Sequence, residues 1–497
     1  MTMALRGINL AIFIVYSLLL IIPLSDAALI LMWLGSVVST GLLARDLNRS
    51  ASGWIIAAIV IPYWAAAFLA LSARRPANAL TAVDNSWLNM DRPTNRMVVC
   101  GILFFDTPLK KAALEQTIRN KLLKFDRFNQ RVVNRNGFNC WEDDPDFRPE
   151  DHLRFHDLPA GAAMRDFHQE VNQLSEQPLD RGKPLWKMDV FQGLDGGSAL
   201  VIRIHHCIAD GIALVRVLLS MTSSEQAAPE APPKARPSDK DSPFKLMLHT
   251  LAGLLAAFPH ALKLPDSHSR LKNPLTGKRK TAWSRPMDLE RVRTLSKAHN
   301  AKINDLVLAA TAGALRDYLK THGSNPDDMT LRVLVPVNLK PLDGEIVLGN
   351  RVGFVYVPLP INEDSPERRL NSVKSTMDSI KGGQEAMLSL IFLKLIGAMP
   401  PRLQNLIVDA LNKNASSTMT NVPGPREPLL FAGEKMTNLI FFGPQSGPMG
   451  VGISVFSYSG QLTMGLNADA NLIPDPDLLV SLFQSEIDNW PDAPSPG

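Results

Sequence analysis

Seven residues, His205-His206-Cys207-Ile208-Ala209-Asp210-Gly211, sit between two segments of different period. Before them, residues 198–204 alternate, with Leu200, Ile202 and Ile204 on one side and Arg203 on the other, a strand pattern. After them, Gly211 opens a helix through Ile212, Val215 and Leu219. A strand passed into a helix by so short a loop confines this region to layered α/β packing. Both histidines lie in the loop.

The same change of period recurs along the chain. Residues 109–125 carry Leu114, Ile118 and Leu122 at helical spacing, and 304–319 place Leu308, Ala312 and Leu315 on one face. Residues 331–337, 352–358, 439–442, 451–456 and 461–466 read as strands. Between the halves, residues 222–243 hold five prolines, charges of both signs and no apolar period, which reads as a linker. Residues 244–264 follow, rich in Leu and Ala, with either an interdomain core helix or an interfacial amphipathic helix open. A length of 497 residues allows two or three domains. Two α/β domains with a cleft between them is the natural architecture, with no repeat of fixed period.

The first 75 residues stand apart, holding no Lys or Glu, five Arg and two Asp. Three uncharged runs, 8–25, 27–44 and 50–73, are 18, 18 and 24 residues long. About 20 apolar residues cross the hydrocarbon layer, so residues 1–75 are expected to form a transmembrane anchor of two to three helices. Trp54, Tyr63 and Trp64 would be its interfacial anchors, and the runs exceed a cleaved signal peptide. That predicts a multi-pass membrane protein with membrane lipids among its partners.

A net charge of +4 with no basic stripe interleaved with aromatics argues against nucleic acid as a partner. The three cysteines, Cys100, Cys140 and Cys207, lie far apart and form no disulfide framework or CxxC pair. No HExxH, no Cys-rich cluster, no GxSxG elbow and no GxxxxGK[ST] loop occurs, so no metal site is expected.

A histidine in such a loop suits ester formation from a thioester. The acyl carbonyl is already activated, but the alcohol must lose its proton as it attacks. An imidazole, with an ordinary pKa near ~6.5, does this and contributes about 10²–10⁴-fold. It needs a fixed orientation, and a following glycine lets substrate pass close to the backbone. Asp210 could orient the imidazole directly or fix the loop by an ion pair elsewhere; spacing leaves both open. Structural or metal-binding histidines are the plainer alternative, and a metal would need a third ligand.

His205-His206-x-x-x-Asp210-Gly211 resembles the HHxxxDG signature of the acyl-CoA-dependent acyltransferases that include chloramphenicol acetyltransferase and condensation domains. The flanking segments resemble the wax ester synthase/diacylglycerol acyltransferase family in particular. These are Pro184-Leu185-Trp186, Asn304-Asp305, Val335-Pro336-Val337-Asn338, Gly349-Asn350 and Asn421-Val422-Pro423-Gly424-Pro425, with residues 80–90 resembling the family's opening segment. The resemblance covers residues 78–490. It implies two chloramphenicol-acetyltransferase-like domains, 76–221 and 281–490, joined by a linker and interdomain segment over 222–280. It implies acyl-CoA and a lipophilic alcohol as substrates, entering an interdomain tunnel from opposite ends, with no cofactor. His206 would be the general base, supported by His205 and Asp210, with Asn304 and Asp305 shaping the site. Wax esters and triacylglycerols would be the products, and the acyl-CoA donor would place the catalytic part on the cytoplasmic side.

Three other readings stand beside this one. His205 and Asp210 also satisfy the HxxxxD pattern of membrane glycerolipid acyltransferases, but the Pro-Glu-Gly block of those enzymes is absent. A condensation-like enzyme would share the fold and the histidine and differ in its thioester donor or hydroxylated acceptor. A non-catalytic, membrane-tethered lipid-binding protein would tolerate loss of His206.

Overall fold

The computed structural model describes residues 76–159, 163–223, 266–339, 346–381 and 385–492, together with Val37, Val38 and Leu42. The earlier part of the chain forms α1 (Ala82–Met90), β1 (Val98–Phe105), α2 (Lys111–Asn120), β2 (Gln130–Arg135), β3 (Phe138–Asp143), β4 (Leu153–Asp157), α3 (Met164–Glu176), β5 (Trp186–Leu194), β6 (Gly197–His205), α4 (Gly211–Met221) and β7 (Thr222–Ser223). The later part forms β8 (Arg279–Trp283), β9 (Met287–Asp288), α5 (Leu289–Ala298), α6 (Ile303–Thr321), β10 (Leu331–Asn338), β11 (Val352–Leu359) and α7 (Pro366–Lys381). It continues through α8 (Glu385–Ile396), α9 (Pro401–Asn412), β12 (Ser417–Pro423), β13 (Leu430–Phe431), β14 (Glu434–Phe442), β15 (Val451–Tyr458), β16 (Gln461–Asp469) and α10 (Pro476–Asp488).

Two sheets carry the fold. The first has the order β4-β5-β6-β1-β14-β13-β7, and the second β11-β10-β12-β15-β16-β8, with β9 pairing β16. The strands β13 and β14 belong to the later part of the chain yet complete the first sheet. There β14 lies antiparallel to β1, pairing Gly101 with Phe441 and Leu103 with Leu439.

Strand β6 is buried on both faces. Leu200 and Ile202 join the core that includes α4, while Ala199 and Val201 pack with Phe167, Val171 and Leu174 of α3. The alternation therefore separates two cores rather than a core and solvent. Arg203, on the side opposite Leu200, Ile202 and Ile204 as the alternation has it, is buried there: its Nη1 donates to the Leu174 carbonyl at 3.0 Å, and its Nη2 lies 3.3 Å from Asp189 Oδ2. A buried arginine is tolerated because it is paired and hydrogen-bonded.

Helix α6 is buried along most of its length, and among its small residues from 309 to 314 Gly313 lets the side chains of Glu486 and Arg369 approach closely. Asp305 in its first turn accepts from the Lys302 backbone amide at 3.0 Å, closing the N-terminus. Helix α2 is shorter than its periodicity suggests. Lys121 leaves helical backbone at φ −123°, and a 3₁₀ turn at Leu122–Lys124 continues the buried side begun by Leu114 and Ile118.

The N-terminal transmembrane helices, and the multi-pass membrane location with its catalytic part on the cytoplasmic side, are corrected. Among the described residues no helix is long and apolar enough to cross a membrane. The longest of the helices above, α6, has 19 residues and carries Asp305, Arg316, Asp317 and Lys320. Hydropathy alone had carried the anchor. The runs at 8–25, 27–44 and 50–73 lie outside the described residues apart from Val37, Val38 and Leu42, as do residues 224–265 with the expected helix at 244–264.

Candidate functional site

The two histidines are gripped from both sides as they leave β6. The His205 amide donates to the Leu185 carbonyl at 2.9 Å, and the His206 amide to the Met97 carbonyl at 2.7 Å. Leu185 and Met97 lead into β5 and β1, the strands that flank β6, so the sheet itself sets where the imidazoles stand. Pro184-Leu185-Trp186 serves this grip. Trp186, 1% exposed, donates its indole N–H to the Phe128 carbonyl at 2.9 Å and stacks on His152.

Asp210 caps α4, its Oδ1 accepting from the Ala213 amide at 3.0 Å. Its Oδ2 accepts from the Arg351 amide at 3.1 Å, which binds the loop to a segment of the later chain. That segment, Gly349-Asn350-Arg351, runs alongside the loop like a short parallel strand. Ala209 bridges Gly349, and the Gly349 amide donates to the Ile208 carbonyl at 3.0 Å. Gly349 has φ +103°, which favours glycine, and a Cβ there would lie 3.4 Å from the Arg127 guanidinium.

Behind the loop lies a buried polar cluster that local sequence patterns do not announce. Asp84, in the first turn of α1 and fully buried, lies 3.1 Å through Oδ2 from Arg127 Nη2. Arg127 Nη1 in turn donates to the carbonyls of Ile208 at 2.7 Å and Cys207 at 3.3 Å. Asn350 Nδ2 donates to Asp84 Oδ1 and to the His206 carbonyl, each at 2.8 Å. The signal available in the sequence was a carboxylate near the start of an otherwise core-forming helix; nothing in it links Asp84 to Arg127 or Asn350.

His206 is 8% exposed, and its ring stacks on Trp87 at 4.0 Å between centroids and 23° between planes. Its Nδ1 is buried without a full hydrogen-bond partner. Burial pushes the imidazole below its ordinary pKa, while the Asp210 charge, the residue's own carbonyl, the Asn350 amide and the Asp84 charge pull it back. His205 is pushed down to about 4, chiefly by burial, and its Nδ1 accepts from the Cys207 amide at 3.1 Å. Both rings are therefore held toward the neutral form, which a proton acceptor requires.

Two apolar spaces adjoin these residues. One, about 130 Å³, is walled by Trp87, Phe354, Phe392, Leu393, Ile396 and Val408. The other, about 80 Å³, is lined by Gly211, Leu214 and Leu218 of α4, Val99 and Leu103 of β1, and Val422 of β12. Asn304 and Asp305 do not hydrogen-bond to His206. Asn304 Oδ1 accepts from Asn421 Nδ2 at 3.3 Å, beside Val422, while Asp305 closes α6. Among the described residues no group of three or more His, Cys, Asp or Glu is placed to hold a metal ion.

Comparison with known proteins agrees with this arrangement. The profile of the wax ester synthase/diacylglycerol acyltransferase catalytic domain matches residues 80–266, and that of the WS/DGAT C-terminal domain matches 348–490. The O-acyltransferase WSD of Acinetobacter baylyi is 27% identical over 446 residues, covering 82% of this chain and 96% of that one. A Mycobacterium tuberculosis protein named "Probable diacyglycerol O-acyltransferase tgs1" is 26% identical over 429 residues, covering 80% and 92%. The solved wax ester synthase/diacylglycerol acyltransferase from Marinobacter aquaeolei superposes with a TM-score of 0.62 at 22% identity, over 83% of this chain and 98% of that one. The chain belongs to the wax ester synthase/diacylglycerol acyltransferase family and is an acyl-CoA-dependent O-acyltransferase.

Proposed function

We propose that the protein esterifies a lipophilic alcohol, either a long-chain alcohol or the free hydroxyl of a diacylglycerol, with the acyl group of an acyl-CoA, and that His206 is the general base. The observation that carries this is a buried imidazole, kept toward its neutral form, in a loop fixed by backbone bonds and adjoined by apolar spaces. As the alcohol oxygen attacks the thioester carbonyl, its proton passes to the imidazole. The C–S bond then breaks, and the departing CoA thiolate takes that proton. No enzyme nucleophile is needed, because the thioester is already activated. The step as written uses acyl-CoA as substrate and no further cofactor.

His205, Asp210 and Asn350 are positioning residues in this reading. His205 accepts from the Cys207 amide, Asp210 ties the loop to α4 and to Arg351, and Asn350 holds the His206 carbonyl. Gly211 leaves the backbone bare, since a Cβ there would meet nothing within 4 Å. Pro184, Leu185, Trp186, Asn304, Asp305 and Gly349 build the frame around them. The names of the relatives support both acceptor classes.

The test is turnover by the purified full chain with palmitoyl-CoA, crossed against hexadecanol and a diacylglycerol, with products identified by mass spectrometry and CoA thiol measured in parallel. Ester and free CoA should appear in equal amounts. CoA release without ester, with every acceptor, would refute the reading.

A further inference from the structure

A buried indole usually finds a partner for its N–H, because an orphaned donor is costly. Trp186 finds one at the Phe128 carbonyl. Trp87, 5% exposed, does not: its Nε1 is buried with no hydrogen-bond partner. A phenylalanine would fill apolar space there without the orphaned donor. What distinguishes the indole at this position is its face, and that face meets His206. The two rings stack at 4.0 Å between centroids and 23° between planes, while Phe354 lies tilted against the indole at 6.1 Å.

Helix α1 is pinned where this contact is made. Asn85 Nδ2 donates to the Gly397 carbonyl at 2.7 Å, and Gln404 Nε2 donates to the Ser86 carbonyl at 2.8 Å. Asp84 and Trp87, three residues apart, share one face of the helix. The first holds Asn350 behind the loop, and the second covers the imidazole.

A tryptophan face is the strongest aromatic partner for a cation. One serves that way beside the site: the Arg127 guanidinium lies over the Trp141 ring at 5.0 Å, and the Trp141 N–H is likewise buried without a partner. His206 becomes a cation only when it takes a proton. The charged and titratable groups that face it are Asp210 at the cap of α4, Asp84 of α1, Arg127 between α2 and β2, and His205 at the end of β6. His205 itself faces Asp91 and Arg181. The carboxylates of Asp210 and Asp84 accept from backbone amides and from Asn350. The indole lies directly on the ring.

We propose that Trp87 is a positioning residue for acyl transfer: its indole face fixes the tilt of the His206 imidazole and stabilises the positive charge that the ring acquires on taking the alcohol proton. This rests on the reading of His206 as the general base. The attraction is absent while the imidazole is neutral and grows as the proton arrives, so it favours the transition state over the resting enzyme. A desolvated cation–π pair shifts a protonation equilibrium by about tenfold, which is about one pH unit.

The test places mono-, di- and trifluorinated tryptophan in turn at position 87 of the full chain. Fluorine withdraws electron density from the ring face and changes its size little, so the packing and the melting temperature should stay near those of wild type. Each fluorine weakens the hold on the protonated imidazole. The acid limb of kcat/KM should therefore move stepwise to lower pH, by about one pH unit in all, with the plateau falling about three- to tenfold. Trp87→Phe keeps a weaker face and should lie between wild type and Trp87→Leu. The same fluorination at Trp283, which stacks on His168 at 3.7 Å, should leave the limb where it is. A limb that trifluorination at 87 leaves unmoved, or moves upward, would overturn the proposal, because the indole would then act only by filling space or excluding water. Should wild type form no ester with any acceptor, the acyl-transfer reading fails by itself. Titration of the His206 ring by NMR in histidine-labelled protein, with His206→Ala assigning the signal, then still decides the role of Trp87. The same stepwise fall in the midpoint is expected, and an unmoved midpoint overturns it.

Discussion

Asn350 Nδ2 donates to the backbone carbonyl of His206 at 2.8 Å, joining residues 144 positions apart in the chain. The same amide donates to Asp84 Oδ1, and Asp84 pairs with Arg127, whose guanidinium holds the next carbonyls of the loop. The position of the histidine loop thus depends on a buried charge pair that lies behind it.

That dependence predicts a stability cost. Asp84→Asn keeps the shape but leaves Arg127 without its partner charge, and removing one member of a buried pair costs about 3–5 kcal/mol. The Arg127 side chain retains 17% exposure, so the lower end is expected. Adding Arg127→Met should recover part of the loss, since both charges are then gone, although the donors to the Cys207 and Ile208 carbonyls go with them. Denaturant unfolding of the two variants measures this. A single variant within about 0.5 kcal/mol of wild type would show that the pair does not hold the loop.

The acid limb of the rate should lie low. Burial holds His206 below its ordinary pKa, so kcat/KM should fall with acidification only below about pH 6.5. Asp210 exerts the largest upward pull on that imidazole, so Asp210→Asn should move the limb to still lower pH while also lowering the melting temperature. The lowered melting temperature follows from turning an amide toward the Arg351 N–H, which now donates to Oδ2. A limb that moves upward in Asp210→Asn would contradict the electrostatic account.

His205 gives a stability signature separable from catalysis. Its folded pKa of about 4 lies below the ordinary value near ~6.5, so between those values the unfolded chain binds a proton that the folded one refuses. Stability should therefore be lost as pH falls from about 6.5 to 4, by up to about 3 kcal/mol from this residue, and level off below. His205→Asn retains an acceptor for the Cys207 amide and removes the titration. Melting temperature against pH should be shallower for the variant across that window, and equal slopes would rule the assignment out.

What the sequence revealed was local. The strand, loop and helix around His206 follow from two periodicities meeting, with α4 beginning at Gly211, but β6 runs one residue beyond the alternation, so that His205 ends the strand and only His206 of the pair lies in the loop. What it hid was non-local. Asp84 and Asn350 lie 266 positions apart, and neither has a periodicity that points to the other. Strand β14 reads as a strand, but its pairing with β1 across more than 300 positions does not. Alternation places Arg203 on the opposite face from Leu200, Ile202 and Ile204 but does not report what covers that face; α3 does. Spacing left two roles open for Asp210, and its bonds to the amides of Ala213 and Arg351 give it a bracing role that no spacing within the motif could have shown. The N-terminal anchor rests on hydropathy alone, and among the described residues no helix is long and apolar enough to cross a membrane.

The central claim, that His206 removes the proton from the alcohol, is tested most directly by the turnover of His206→Ala. The assay uses palmitoyl-CoA and hexadecanol, with palmitoyl-CoA binding and melting temperature measured on the same preparation. A general base contributes about 10²–10⁴-fold, so ester formation should fall by that factor while donor binding stays near the wild-type value. A folded His206→Ala protein that forms ester within a few-fold of the wild-type rate would contradict the account.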